Sequence, residues 1–288
     1  MVLKEGMPLL LDLYEKYNIK STFFFTGYIA KLYPEIVKMI VPFGHEVASH
    51  GMSHIKSNGF DVMPLEKQIQ HLMESKRLLE DISGQEVISL RAPALRVSED
   101  TIHALEESAY KIDSSIASQR FDMFMSFGGL KKLNWLTAPR LPYRTSKASL
   151  FKKGNSSIIE VPLNASLLSY VGTTMRIFPI ITSLQRRLLS LESKMNGKPI
   201  VFDIHPNEFI DESDEPRIIE KRSNNIIASF IQDTLRSNLK IKIWVKKQYL
   251  FMRNRYNIFT KINIDLFHWN NTSESVVLKY ENSNFSNG

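Results

Sequence analysis

Residues 44–54 read Gly44-His45-Glu46-Val47-Ala48-Ser49-His50-Gly51-Met52-Ser53-His54. Glu46 to Ser49 is a short run suited to a buried strand, and Gly51 marks the point where that strand ends and bends into a loop or helix. His50 and His54 are four residues apart. That spacing puts two imidazoles on one face of a single helical turn and lets both bind one divalent metal. A third ligand must come from elsewhere, for a hydrolytic metal usually a carboxylate. With seven histidines in 288 residues, such a pair also arises by chance, so its meaning depends on what surrounds it.

Upstream, Leu9, Leu10, Leu13, Tyr14 and Tyr17 recur at helical spacing. Ser21 to Thr26 is β-rich, and Ile29 to Val41 is helical with Pro34 in a first turn. Downstream, Pro64 to Ile82 reads as a long amphipathic helix closed by Ser83-Gly84. Val87 to Arg91 reads as a strand, Ser98 to Ser108 as a helix capped by Ser98, and Tyr110 to Asp113 as a strand. Ser157 to Leu163 is a strand, Ile177 to Met195 a helix, and Pro199 to Ile204 a strand running into His205. Asn224 to Ser237 is a helix, Ile241 to Val245 a strand and Lys247 to Met252 a short helix. This alternation predicts a parallel sheet or barrel wrapped by helices. In such barrels chemistry sits at the carboxyl ends of strands, where His50, Arg91 and His205 fall.

Residues 117–155 break the rhythm. Gly128-Gly129, Pro139 and Pro142, with Phe121, Phe124, Phe127, Trp135 and Tyr143, predict an irregular insert whose aromatics pack over a cleft. There is no internal repeat. Residues 1–254 are expected to form one domain and 255–288 a polar tail, poorly ordered over its Asn- and Ser-rich end from Asn270.

The apolar content of 43% suits a packed core. The absence of cysteine excludes disulfides and thiolate metal sites. No apolar run reaches membrane-spanning length and no signal peptide is present, so no membrane span is expected and the location is cytoplasmic by default. The net charge of +7 is scattered, with a local excess at Lys240 to Arg255. Without a recognised nucleic-acid module it reads as a solvated basic face, and no nucleic-acid partner is expected. His45 reads as a turn residue, and His71 and His103 as surface residues.

Taken in order, Ser21-Thr22-Phe23-Phe24-Phe25-Thr26-Gly27, Gly44-His45-Glu46, His50-Gly51-Met52-Ser53-His54, Arg91-Ala92-Pro93, Asp113-Ser114-Ser115 and His205-Pro206 resemble the polysaccharide deacetylase, or NodB-homology, family of carbohydrate esterases. The resemblance covers roughly residues 5–250. Tyr110 to Ser115 and His205-Pro206-Asn207-Glu208 look most like its peptidoglycan deacetylase-like and allantoinase-like branch. The resemblance implies a distorted (β/α)7 barrel. It also implies hydrolysis of an N-acetyl or similar non-peptide C–N bond, generally at a zinc-type metal, with an N-acetylated sugar polymer or a related small C–N compound as substrate. Position by position, His50 and His54 match the metal ligands, Arg91 the residue that orients the base, and His205 the general acid. Asp113 lies in the fourth-motif segment and is a further catalytic candidate; Pro93 and Trp135 are the expected substrate contacts.

The chemistry accounts for these residue types. Two neutral imidazoles and a carboxylate hold a metal that polarises the amide carbonyl. A second carboxylate, oriented by Arg, takes the proton of water, and a protonated His gives one to the leaving amine. The family opens with an aspartate-bearing strand ahead of the first helix. Here Met1-Val2-Leu3-Lys4-Glu5-Gly6 stands in that place, and Asp12 lies inside the helix. A start assigned too late, a shortened gene and an inactive, carbohydrate-binding relative all remain open. The expectation is a barrel without its first strand, binding metal weakly. Strand alternation puts Asp203 on the same face as His205, so an Asp–His pair stands beside a structural role for Asp203. Asp203 and Asp113 are the first candidates for a substitute carboxylate.

Overall fold

The computed structural model of the chain describes residues 2–120, 134–166 and 168–206. Seven strands make one sheet: β1 (Thr22–Phe25), β2 (Glu46–Ser49), β3 (Ser89–Leu90), β4 (Ile112–Asp113), β5 (Tyr143–Ser146), β6 (Ser149–Lys153) and β7 (Ile159–Glu160). Their order is β1-β2-β3-β4-β7-β5-β6. From β1 to β4 and on to β7 every neighbour is parallel. Parallel neighbours need long crossovers, and helices supply them. Helix α1 (Met7–Lys16) precedes β1; α2 (Gly27–Leu32) and α3 (Pro34–Lys38) join β1 to β2; α4 (Leu65–Ser83) joins β2 to β3; α5 (Thr101–Glu107) joins β3 to β4. Two further helices, α6 (Gly172–Ile177) and α7 (Pro179–Asn196), follow β7. This is the helix-wrapped, distorted α/β barrel architecture expected of the alternation.

Helix α4 shows how the layers meet. Its buried residues Gln68, Leu72, Ser75 and Leu79 recur at three- and four-residue spacing, which makes one stripe toward the sheet. Two of the four are polar, and both are satisfied. The Gln68 amide donates to the carbonyls of Phe60 and Met63, and Ser75 Oγ lies 2.9 Å from Ser49 Oγ on β2. Gly84 closes the helix at φ +70, a left-handed position that favours glycine. The other face of β2 is also polar: Glu46 accepts from Thr22 Oγ1 and from Ser89 Oγ, tying three adjacent strands together.

Several expectations change. The 117–155 region is not irregular throughout, because β5 and β6 form an antiparallel hairpin and β5 runs antiparallel to β7. Its aromatics Trp135 and Tyr143 do not cover a cleft but are buried in the core, where apolar contact stabilises them more than solvent does. Pro199–Ile204 is no ladder strand: Asp203 makes a single parallel bridge to Val171, and Val201 N–H donates to the Asn164 side chain. Ser98 does not cap α5. Its N–H donates to Thr101 Oγ1, and Asp100 takes the cap position. Strand β1 pairs with β2, and it is an edge strand among the described residues. The elements expected at 224–237, 241–245 and 247–252, the tail from 255, and Phe121, Phe124 and Phe127 lie outside the described residues.

Candidate active site at the carboxyl edge of the sheet

Strand register builds the site. His50 N–H donates to Phe25 O at 2.7 Å, Arg91 N–H to Ser49 O at 3.0 Å, and Ser114 N–H to Leu90 O at 2.9 Å. Each residue stands one step past the end of its strand. His50, Arg91 and Ser114 therefore form a row along the carboxyl edge, where a parallel sheet presents its chemistry.

His50 and His54 are together, with ring centroids 5.5 Å apart. They do not share a helical turn. Residues 50–54 form a loop, and the turn is made by Gly51 at φ +66. A Cβ on Gly51 would also stand 3.3 Å from the Phe60 ring and 3.6 Å from Pro93. Only glycine meets both demands without strain. Pro93 is thus a buried residue packed against the histidine loop at Gly51. The His50 Nδ1 lies 2.6 Å from the carbonyl oxygen of Arg91. Burial of the ring, then the neighbouring His54, pushes the His50 pKa down to about 3, so the imidazole is neutral near pH 7.

Arg91 is the hub. Its Nη1 donates to Asp203 Oδ1 at 2.8 Å, its Nε to the Ser114 carbonyl at 3.1 Å and its Nη2 to Ser114 Oγ at 2.9 Å. The guanidinium also lies over the Phe24 ring, 4.5 Å from its centroid. Asp203, in turn, is close enough for its charge to favour protonation of His50. His50, His54, Arg91 and Asp203 are therefore one constellation. His205 follows two residues after Asp203 and is exposed.

Two other expected site residues lie elsewhere. Asp113 is fully buried, accepts from Ser115 Oγ at 2.6 Å, and is out of reach of a substrate. Trp135 is fully buried in the core and cannot stack on a ligand. Residue patterns had also hidden several participants. Ser114 and Ser115 belong to the Asp113-Ser114-Ser115 motif, and only the fold shows that their hydroxyls hold Arg91 and Ala92. Glu160, the registered partner of Asp113, carried no local signal.

Among proteins of known family, the polysaccharide deacetylase model matches residues 3–112, a span that contains His50, His54 and Arg91. The peptidoglycan deacetylase of Helicobacter pylori is 33% identical over 116 residues, 40% of this chain and 39% of that protein. A peptidoglycan-N-acetylglucosamine deacetylase of Bacillus cereus is 29% identical over 105 residues, 36% of this chain and 47% of that protein. The chain thus spans less than half the length of these relatives. A solved structure from Mycobacterium smegmatis, assigned to the polysaccharide deacetylases, superposes with a TM-score of 0.51 at 21% identity, covering 85% of this chain and 78% of that one. That likeness shows the shared fold, and over residues 3–112, the span that holds the histidine pair and the arginine, the sequence matches the polysaccharide deacetylase family model.

Proposed function

We propose that this chain hydrolyses the N-acetyl groups of an N-acetylated sugar polymer at the edge formed by His50, His54, Arg91 and Asp203. One observation carries the reading: Arg91 holds a carboxylate, Asp203, at 2.8 Å, in the same row as two adjacent imidazoles. The family match and relatives named as peptidoglycan deacetylases support the substrate class.

The donor set fits part of a metal site. His50 is neutral, and its Nδ1 is occupied by a carbonyl, which leaves the Nε2 lone pair as the one a metal would use. His54 would supply the second imidazole. Among the described residues no group of three His, Cys, Asp or Glu side chains is placed to hold a metal, so the pair is a two-imidazole half-site. A zinc-type ion, when bound there, supplies a Lewis acid that polarises the amide carbonyl. The residues of the chain do the rest. Asp203 accepts the proton of the attacking water, and Arg91 fixes the orientation of that carboxylate. His205, two residues on, gives a proton to the departing amine.

Acetate release from chitooligosaccharides and from peptidoglycan fragments, with and without added zinc, tests the reading. Metal-stimulated release that Arg91→Ala and His50→Ala both abolish is expected. Sugar binding without any release would favour a non-catalytic carbohydrate-binding relative, the reading that the half-site otherwise supports. Neither binding nor release would sink both.

A further inference from the structure

Behind Arg91 two acids lie side by side in the core. Asp113 ends β4, Glu160 ends β7, and they are partners in register. Both are fully buried. Registered residues of adjacent strands point to the same face, and Asp113 Oδ2 and Glu160 Oε2 are both buried with no other hydrogen-bond partner among the described residues. Two ionised carboxylates cannot satisfy each other, because neither has a hydrogen to give.

Their other partners show which one carries it. Asp113 accepts from Ser115 Oγ, and this bond and the nearby Ser114 and Ser115 backbone favour its charged form. Glu160 accepts one N–H, from Ile116 at 3.1 Å. Burial raises both groups, and the Asp113 charge pushes Glu160 well above the usual carboxylate range. Among the described residues few other charges face the pair. Arg91 opposes the rise of Glu160 but is itself matched by Asp203. Tyr143, reaching in from β5, is held neutral by burial and by both acids, with its hydroxyl donating to Leu150 O.

The segment that leads away from the pair grips Arg91. Ser115 Oγ donates to Asp113 and accepts the Ala92 N–H at 2.8 Å. Ser114 takes two bonds from the guanidinium through its carbonyl and hydroxyl, and its hydroxyl donates to Val161 O, one residue past Glu160. Residues 113–115 therefore clamp both the backbone after Arg91 and the Arg91 side chain, and they rest on the acid pair.

We propose that Asp113 and Glu160 are a carboxyl pair sharing one proton, and that Glu160 is a positioning residue for Arg91. The positioning role rests on the deacetylase reading for its catalytic meaning; the shared proton does not. Loss of the proton would set two charges against each other in the core, break the bond between them and loosen the 113–115 clamp. Alkaline pH should then release Arg91.

The full chain, labelled with carbon-13 at its carboxyl groups and nitrogen-15 in its arginines, tests this by NMR from about pH 5 to about pH 9. Glu160 should keep a protonated carboxyl signal where exposed glutamates have titrated, and Asp113→Asn should lower its midpoint by removing the adjacent charge. The Arg91 Nε–H signal should move at the same pH at which Glu160 ionises. Glu160→Ala should displace that signal and lower kcat about ten- to a hundredfold with little change in KM. Glu160→Gln, whose amide can donate to Asp113 and accept from Ile116, should recover most of both. A Glu160 that titrates with the other glutamates overturns the shared proton, even if the alanine variant fails to fold. An Arg91 signal indifferent to Glu160 ionisation and to Glu160→Ala overturns the positioning role. Absence of deacetylation in the unaltered chain sinks the enzyme reading and leaves the NMR result to decide the pair.

Discussion

His50 and Arg91 are joined by a 2.6 Å contact between the imidazole Nδ1 and the Arg91 main-chain carbonyl. A carbonyl oxygen can only accept, so Nδ1 carries the hydrogen and Nε2 holds the lone pair. The arginine thus serves the site twice, through its backbone toward the imidazole and through its guanidinium toward Asp203.

These two roles separate in a metal titration. Calorimetry with zinc should show binding that His50→Ala or His54→Ala weakens at least about tenfold. Arg91→Ala keeps the backbone carbonyl, so it should retain zinc binding while losing acetate release. Equal zinc affinity in all four proteins would remove the histidine pair from the site.

Gly51→Ala should damage the site from beneath. The substitution places a side chain at φ +66 and within 3.3 Å of the Phe60 ring. Left-handed strain and the close contact together should cost about 1–3 kcal/mol. Denaturant unfolding measures that loss, and zinc affinity should fall with it because the His50–His54 loop must shift. A variant as stable as the parent would show that the loop tolerates another path.

Arg91 should also matter to the fold. Arg91→Ala strips Asp203 of its ion partner and Ser114 of two donors in a largely buried setting, a loss of about 2–4 kcal/mol. Arg91→Lys keeps the charge but not the fork that reaches three acceptors, so it should fall between the alanine variant and the parent. If lysine matches arginine in denaturant midpoint, charge alone is sufficient there.

His45 is not the turn residue that its position suggested. It is 3% exposed, packed against Phe23 at 5.1 Å and Tyr14 at 5.7 Å between ring centroids. Neither ring nitrogen has a hydrogen-bond partner among the described residues. Burial, then the charge of Lys20, lowers its pKa to about 4. In the unfolded chain it titrates near the ordinary value of about 6.5. Between these values the unfolded state binds more protons, so the contribution of His45 is full above about pH 6.5 and is lost as the pH falls toward 4. His45→Phe should remove up to about 3 kcal/mol of that acid-side loss. Parallel stability curves for parent and variant from pH 7 to pH 4 would place the acid sensitivity elsewhere.

Local pattern carried much of the fold. The limits of β2 and the length of α4 follow from alternation, periodicity and a closing glycine, signals contained within a few consecutive residues. His50 and Arg91 were legible because each follows directly on the end of a strand, and His54 because it stands four residues on from His50. The 50–54 turn was misread because the same four-residue spacing serves a helix or a glycine-made loop, and only φ at Gly51 distinguishes them. The β5–β6 hairpin was missed because its strands are short and rich in Ser, Lys and Arg, and β5 takes its place only by lying against β7.

From its residues alone, this chain declares an alternating α/β architecture, a two-imidazole motif and an arginine at a strand end, because each is written in neighbours along the chain. Tertiary structure alone decided that Asp203 is the carboxylate held by Arg91, 112 residues away in sequence. It also decided that Asp113 and Glu160 share the core, since β4 passes over the β5–β6 hairpin to pair with β7. Charge and burial are properties of what surrounds a side chain, and for these residues the surroundings arrive from distant parts of the chain.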